Sequence, residues 1–466
     1  MAVQIPFLQS FEEKIIDIIE RLIHLLSLSD IEKEEEFQKK FLFYWNQAAE
    51  DTGICKLYIG KERKFQKLNA YKSNDGAVRF VANGICLNDA NKKVNGSKKW
   101  RHLPELPVFY IPITDKRRVL PPTRDKKWTA ENIVMLIYGK QFNRISNESY
   151  VKLGVEKIKT KNIGLVFEIE INGNYIDFAA IIEFRSTKND TLLNKLKQEI
   201  VDVVPILSKR TDYYYLCKQI GNEITLLDKK VLLIGAGSLG SYIARELVKT
   251  GVRSLTVYDK EPLEEENLLR HTIGDLWVDC SKVFGLKCEL ECIHPEIHIN
   301  AVEKNIDKNL LVAEMKKADL ILFAVGSSTV QWEMNKVLKE QKCNAKVIYT
   351  WLEAGGENSH ILSIDYNKQG CFQCLFTGCL INNKANNVSE IDVEAYKIRN
   401  GCGGTRVAYG NTVLLRTTAV LLDVIKKNFE RAESTNNLIN ITPTDVIDVK
   451  DTFVERKCRC CGDEDI

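Results

Sequence analysis

Residues 231–259 read VLLIGAGSLGSYIARELVKTGVRSLTVYD, and no other stretch narrows the fold as far. An apolar run ends in a glycine turn, the turn opens an amphipathic helix, and a second apolar run ends in Asp259. Gly235, Gly237 and Gly240 give the spacing G-x-G-x-x-G. At that spacing the first glycine permits the tight turn, the second lets a phosphate reach the backbone, and the third lets helix and strand pack closely. The first helical N–H groups, with the positive end of the helix dipole behind them, favour an anion. Asp259 is placed to take a ribose from NAD or from ATP, so the turn alone leaves the nucleotide open.

The same alternation continues downstream. Strands are expected at 231–234, 254–258, 320–325 and 346–352, and helices at 238–250, 281–292, 307–317 and 328–341. This order calls for an α/β fold with a doubly wound, mostly parallel, Rossmann-like sheet. A β-like run (ILSIDY), a cysteine pair, a long helix over 405–428 and strands near 437–449 complete the half. The N-terminal half reads differently. Residues 8–50 have helical spacing, LPVFYIPI (106–113) reads as a buried strand, and a helix is expected from Thr191 to Leu207. Residues 164–184 form a hairpin around Asn172-Gly173, a type I′ turn signal. The charged SKRTD run places a boundary near 205–222, giving domains 1–210 and 211–466.

The chain has 466 residues, of which 44% are hydrophobic and 28% charged, enough for two or three domains and a sizeable core. A net charge of +3 makes no case for nucleic acid. No apolar run reaches the 18 residues of a membrane span. MAVQIPFLQSFEEKIIDIIERL lacks the basic, apolar, small-residue order of a secretory signal. A cytoplasmic protein is expected, and its 14 cysteines should be thiols, metal ligands or catalysts rather than disulfides.

The run after Asp259, DKEPLEEENLLRHTI, resembles the ThiF/MoeB/ubiquitin-activating superfamily, with Asp259, Asn267, Leu268 and Arg270 at the family's intervals. SKVFGLKCELECIHPEIHINAV (281–302) is similar to the family's lysine-led helix, with Lys282 on the family lysine and His294-Pro295 in place of Asn-Pro. Lys287 is the other candidate, at a different distance from the proline. The resemblance covers about residues 212–466 and implies an adenylation domain that uses ATP and Mg2+ rather than NAD. It implies that Asp259 holds the ribose, while Arg270 and Lys282 neutralise the triphosphate and the transition state. Three positions depart from the family pattern. Gly326, flanked by Ser327 and Ser328, stands where relatives commonly place an aspartate. Lys218 replaces an arginine given across a dimer, and Asp279-Cys280-Ser281 stands where a glycine usually precedes the lysine helix.

Cys371-x-x-Cys374 and Cys458-x-x-Cys461 are two knuckles with the spacing tetrahedral zinc takes, and Cys460 could replace one ligand. The resemblance implies a structural zinc that clips the C-terminal part back to the sheet. Cys402 lies in RNGCGGTRVAYGN, near Arg399 and Arg406 and ahead of a helix, where a thiolate is favoured. In relatives that go beyond adenylation, a crossover-loop cysteine takes the acyl group as a thioester. Cys402 is therefore the nucleophile candidate, against the alternative of a small residue in a tight turn, with Cys379 next. Cys280, Cys288, Cys292 and Cys343 lie in or beside expected helices and read as core or inert.

WLEAGGENSHILSI (351–364) resembles bacterial members associated with antiviral ubiquitin-like systems, and His360 there reads as structural. Residues 1–210 read as an inactive adenylation-like α/β scaffold without a glycine turn, one that docks the modifier or the conjugating enzyme. Asn83-Gly84-Ile85-Cys86-Leu87 is similar to the short segment around the active cysteine of conjugating enzymes, but LPELPVFYIPI reads as a strand where those enzymes turn helical. Cys86 is read as an ordinary thiol. The expectation is a homodimeric, ATP-dependent enzyme that activates a ubiquitin-like protein with a C-terminal glycine and passes it to a conjugating enzyme. The alternatives are a sulfur-carrier adenylyltransferase and a scaffold without turnover.

Overall fold

The computed structural model describes residues 10–49, 53–88, 99–115, 119–122, 126–138, 144–171, 173–222, 224–376, 397–399, 405–430, 436–450, 454 and 458–462. The chain divides into two compact units, Met1–Ile85 with Lys98–Asp212, and Cys86–Ser97 with Tyr213–Ile466. The short insert belongs to the second unit because the Asn88 amide donates to the carbonyls of Glu291, His294 and Ile297, at 3.0, 3.2 and 2.7 Å.

The first unit opens with helices α1 (Phe11–Ser27), α2 (Asp30–Lys39) and α3 (Phe41–Ala48). Capping boxes at Ser10 and Ser29 start the first two, and neither buries a residue. Strands β1 (Cys55–Tyr58), β2 (Gln66–Ser73), β3 (Val78–Ala82), β4 (Trp100–His102) and β5 (Val108–Pro112) follow. Then come α4 (Ala130–Tyr138), α5 (Asn147–Val155), β6 (Lys157–Ile158), β7 (Asn162–Ile171), β8 (Asn174–Phe184), β9 (Asp190–Thr191), α6 (Leu192–Gln198), β10 (Ile200–Ile206) and β11 (Ser208–Arg210). The sheet runs β10-β8-β7-β5-β2-β3-β1-β11, with β4 beside β2. It is an α/β unit, and its strands pair in both senses. The expected hairpin is β7–β8, with Gly173 at φ 78°. Phe41 and Trp45 of α3 lock onto Trp128 and Phe178.

The helix expected from Thr191 to Leu207 is corrected. It stops at Gln198, and Ile200–Ile206 form a strand antiparallel to β8. IVDVV is β-branched and alternates, and Pro205 cannot continue a helix but sits readily on a sheet edge.

The second unit starts with α7 (Tyr213–Gln219). It then alternates β12 (Lys230–Ile234), α8 (Ser238–Thr250), β13 (Ser254–Tyr258), α9 (Lys282–Glu291), β14 (His298–Val302), α10 (Lys308–Met315), β15 (Leu320–Phe323), α11 (Ser328–Glu340) and β16 (Lys346–Leu352). After it come β17 (Ser359–Ile364), a short hairpin of β18 (Lys397–Arg399) and β19 (Thr405–Val407), α12 (Asn411–Glu430), β20 (Asn437–Ile441) and β21 (Val446–Lys450). The long helix thus begins at Asn411 rather than 405, because Thr405–Val407 pair with β18. Sheet order is β14-β13-β12-β15-β16-β17-β20-β21. The first five strands are parallel and the last three antiparallel.

Leu247 of α8, Leu286 of α9 and Leu421 of α12 fill one face, and Leu311 of α10 and Leu338 of α11 fill the other. Each such wholly buried leucine contributes about 1.5–3 kcal/mol. This is the doubly wound sheet the sequence pattern called for. Strand order reverses between β12 and β15, which opens a crevice at their carboxyl ends. Among the described residues, no helix is long and apolar enough to cross a membrane.

Candidate nucleotide site and cysteine clip

The glycines divide the work as their spacing predicts. Gly235 has φ +99°, and a Cβ there would lie 2.7 Å from the Ala324 carbonyl oxygen. A Cβ on Gly240 would lie 2.0 Å from the Gly235 oxygen, so only glycine lets α8 close on the turn. Around Gly237 nothing comes within 4 Å of a Cβ position. Gly237 is also the N-cap of α8 and supplies no side-chain acceptor to the helix start. By contrast, Asp307 and Ser327 cap α10 and α11 with side-chain oxygens. The start of α8 is therefore left open for an anion.

Asp259 braces the turn. Its carboxylate accepts from Ala236 N at 2.7 Å and from Glu261 N at 2.9 Å. Two cavities, each of about 370 Å3, share Gly237, Ala324, Val325 and Gly326. One is lined by Asp259, Lys304 and Asn305, the other by Thr350, Trp351 and Tyr409. Together they extend across the crevice at the strand-order reversal.

The cations come to the same region. Asn267 is buried in a 3-10 turn, Glu265–Arg270, that ends on the half-buried Arg270. Arg270 Nε is shut off from solvent without a hydrogen-bond partner among the described residues, and the guanidinium lies 5.4 Å from the Tyr409 ring centre. A guanidinium N–H left unpaired in the interior is costly unless an anion completes it. Lys282 opens α9, is buried, and pairs with Glu261 Oε2 at 2.8 Å. That bond and charge hold the Glu261 carboxyl below the usual carboxylate range. Lys287 instead ties α9 to β14 through Glu291 and the Ile299 carbonyl, both at 2.6 Å. Asp259 and Glu261, the partner of Lys282, line one cavity, and Tyr409, beside Arg270, lines the other, so these charges border the crevice next to an open helix start, a set that fits a nucleoside triphosphate.

Sequence reasoning missed His271. It is buried, and its Nε2 lies 2.8 Å from the Ala236 carbonyl oxygen. Burial is the main cause that lowers its pKa to about 4, so the ring is neutral near pH 7. Nothing in NLLRHTI sets it apart, because its partner lies 35 residues away.

The cysteine clip closes as four. The Sγ atoms of Cys371, Cys374, Cys458 and Cys461 lie within 4.8 Å of one another, with Cys371–Cys458 at 3.7 Å and Cys374–Cys461 at 3.3 Å. Thiolates 2.3 Å from a tetrahedral zinc would sit about 3.8 Å apart, so the set fits that ion. Cys460 is not one of these four; it borders Cys371 and accepts from Asn335 Nδ2 at 3.4 Å. Asn335 also accepts from Phe372 N at 3.0 Å and from Tyr366 OH at 2.8 Å, which fixes the first knuckle against α11. Cys371→Ser is expected to abolish zinc in elemental analysis and lower Tm by roughly 10 °C, whereas Cys460→Ser keeps the metal. Loss of zinc in both variants would contradict the four-ligand set.

The ThiF family profile matches residues 218–460. The chain belongs to the ThiF family. Pseudomonas aeruginosa ATP-dependent ubiquitin transferase-like protein Cap2 is 26% identical over 180 residues, 37% of this chain and 32% of that protein. Ubiquitin-like modifier-activating enzyme 5 of Caenorhabditis briggsae is 25% identical over 198 residues, 39% of this chain and 44% of that protein. Escherichia coli molybdopterin-synthase adenylyltransferase is 32% identical over 111 residues, 24% and 45% of the two chains. The chain spans less than half the length of each of these relatives.

The departures from the ThiF pattern have physical counterparts. Asp279, where the family glycine is missing, adopts φ 61°, the left-handed region that aspartate tolerates better than most residues. Gly326 is exposed at the crevice with nothing within 4 Å of a Cβ position. Lys218 lies exposed on α7. His360 is buried on β17, bonded to Glu353 and Asn440 and stacked on Trp351. Cys343 is buried and its thiol is pushed up to about 11, whereas Cys288 and Cys292 are partly exposed and Cys280 and Cys86 are exposed. Cys402 and Cys379 lie outside the described residues, as do the side chains of Arg399 and Arg406.

Proposed function

We propose that this ThiF-family chain activates a ubiquitin-like protein at the expense of ATP, as a homodimer in the cytoplasm. The observation that carries the reading is Arg270 Nε, unpaired among the described residues and set by Tyr409 at a crevice that holds an uncapped helix start and Asp259, with Lys282 paired to Glu261 at its edge. Asp259 would hold the ribose, the α8 start the phosphates, and Arg270 with Lys282 the charge that builds up during transfer. Mg2+ would supply further charge neutralisation for the triphosphate. Zinc would be structural, on Cys371, Cys374, Cys458 and Cys461.

A carboxylate oxygen of the C-terminal glycine attacks the α-phosphorus, and pyrophosphate leaves. The Cys402 thiolate then attacks the acyl carbon, AMP leaves, and the thioester passes to a conjugating enzyme. The Cap2 and modifier-activating relatives support this direction, and bacterial antiviral defence is the setting we infer from the Cap2 likeness. Residues 1–210 would dock the modifier or the conjugating enzyme.

Intact mass under non-reducing conditions tests the reading. With Mg-ATP and a glycine-terminated ubiquitin-like protein from the same gene neighbourhood, the wild type should carry a thiol-sensitive adduct. Cys402→Ala should lose the adduct and still release pyrophosphate. Pyrophosphate without any adduct would move the function to a sulfur-carrier adenylyltransferase, the chemistry named in the molybdopterin-synthase relative.

Gly326 favours a second reading, a scaffold with weak turnover. The open space there accommodates a carboxylate side chain. Gly326→Asp is expected to keep Tm within about 2 °C of wild type, as exposed substitutions do. It should raise ATP–pyrophosphate exchange about tenfold, one pK unit's worth of barrier. Unchanged exchange would show that Gly326 is no handicap.

A further inference from the structure

The middle residue of the glycine turn is gripped from two sides. Ala236 N–H donates to Asp259 Oδ2 at 2.7 Å, and the Ala236 carbonyl faces His271 Nε2 at 2.8 Å. Ile273 N–H donates to His271 Nδ1 at 3.3 Å, so Nδ1 is the acceptor and Nε2 carries the proton. The charged groups beside the ring are Lys282 and Arg270, which disfavour a second proton.

The Ala236–Gly237 peptide is trans. In a trans peptide the carbonyl and the following N–H point in opposite directions. A carbonyl held inward by His271 therefore turns the Gly237 N–H outward. Gly237 borders both cavities, and no described group accepts from its N–H. We propose that His271 is a positioning residue for phosphate: by pinning the Ala236 carbonyl, it aims the Gly237 N–H into the nucleotide site. The proposal rests on the nucleotide reading above. A histidine serving only the core would need some carbonyl, but not the one directly before the open glycine of the turn, Gly237.

The test is calorimetric titration of the full chain with ATP and, by competition, with adenosine, using wild type, His271→Gln and His271→Met. Glutamine keeps a donor near the Nε2 position, whereas methionine fills the space without one. The proposal expects His271→Gln to stay within about threefold of wild type for both ligands. His271→Met should lose about tenfold or more for ATP, as when a charge-directed hydrogen bond is lost, while adenosine affinity holds. Wild-type ATP affinity in the methionine variant overturns it, and so does an equal loss for ATP and adenosine, the mark of a merely distorted turn. If His271→Met shows no cooperative melt, His271→Asn, whose shorter amide cannot reach the Ala236 carbonyl from the Nε2 position, takes its place with the same expected and overturning results. A wild type that binds neither ligand fails the nucleotide reading itself, whereas wild-type binding that no variant disturbs fails only the role of His271.

Discussion

Arg270→Gln is expected to cut ATP–pyrophosphate exchange about 10²–10³-fold, the cost of losing one preorganised charge donor at a transition state. Among the described residues the Nε of Arg270 is closed to solvent and unpaired, so without an anion it is a liability rather than a support. Stability should therefore move opposite to activity, with Tm of the glutamine variant at or above that of wild type. Arg270→Lys keeps the charge but loses the planar fork, and should recover only part of the exchange. A variant that lost exchange and stability in proportion would show instead that Arg270 holds the 3-10 turn Glu265–Arg270 together.

Gly240→Ala is expected to cost about 3 kcal/mol, the upper range for overpacking, and to remove ATP binding with it. The added methyl would sit 2.0 Å from the Gly235 oxygen, and Gly235 cannot retreat because Ala324 lies against its other side. The α8 start must then lift off the turn, and the phosphate-facing N–H groups go with it. Gly326→Ala is the matched control, since a methyl there meets nothing within 4 Å. It should stay within about 0.5 kcal/mol of wild type in urea unfolding. Equal stability of the two variants would contradict the close packing of helix on turn.

The alternating half was legible because its buried parallel strands are short apolar runs, as in KVLLI and LILF, and its helices are amphipathic and bounded by turns. LLNKLKQEIVDVVPI was misread because its leucines set a helical period that the following valines also satisfy, while the sheet edge at β8 took those valines as a strand. Among the candidate site residues, Asp259, Arg270 and Lys282 stood out because they fall on the intervals of the ThiF resemblance, which are visible in one dimension. His271 and Asn335 did not, because each acts on a backbone carbonyl, an N–H or a thiol supplied from a distant part of the sequence. The choice between Cys460 and Cys461 was open for the same reason. Spacing admits both, and only the direction of each sulfur separates them.

The cysteine knuckle has a consequence for how this chain unfolds. Cys371 and Cys458 stand 87 residues apart in sequence, and their Sγ atoms lie 3.7 Å apart. Helix α12 and strands β20 and β21 fall between them. A metal held by all four cysteines would close that long loop and so take freedom from the unfolded chain that the folded one has already given up. With the metal in place, α12, β20 and β21 would open together rather than one by one.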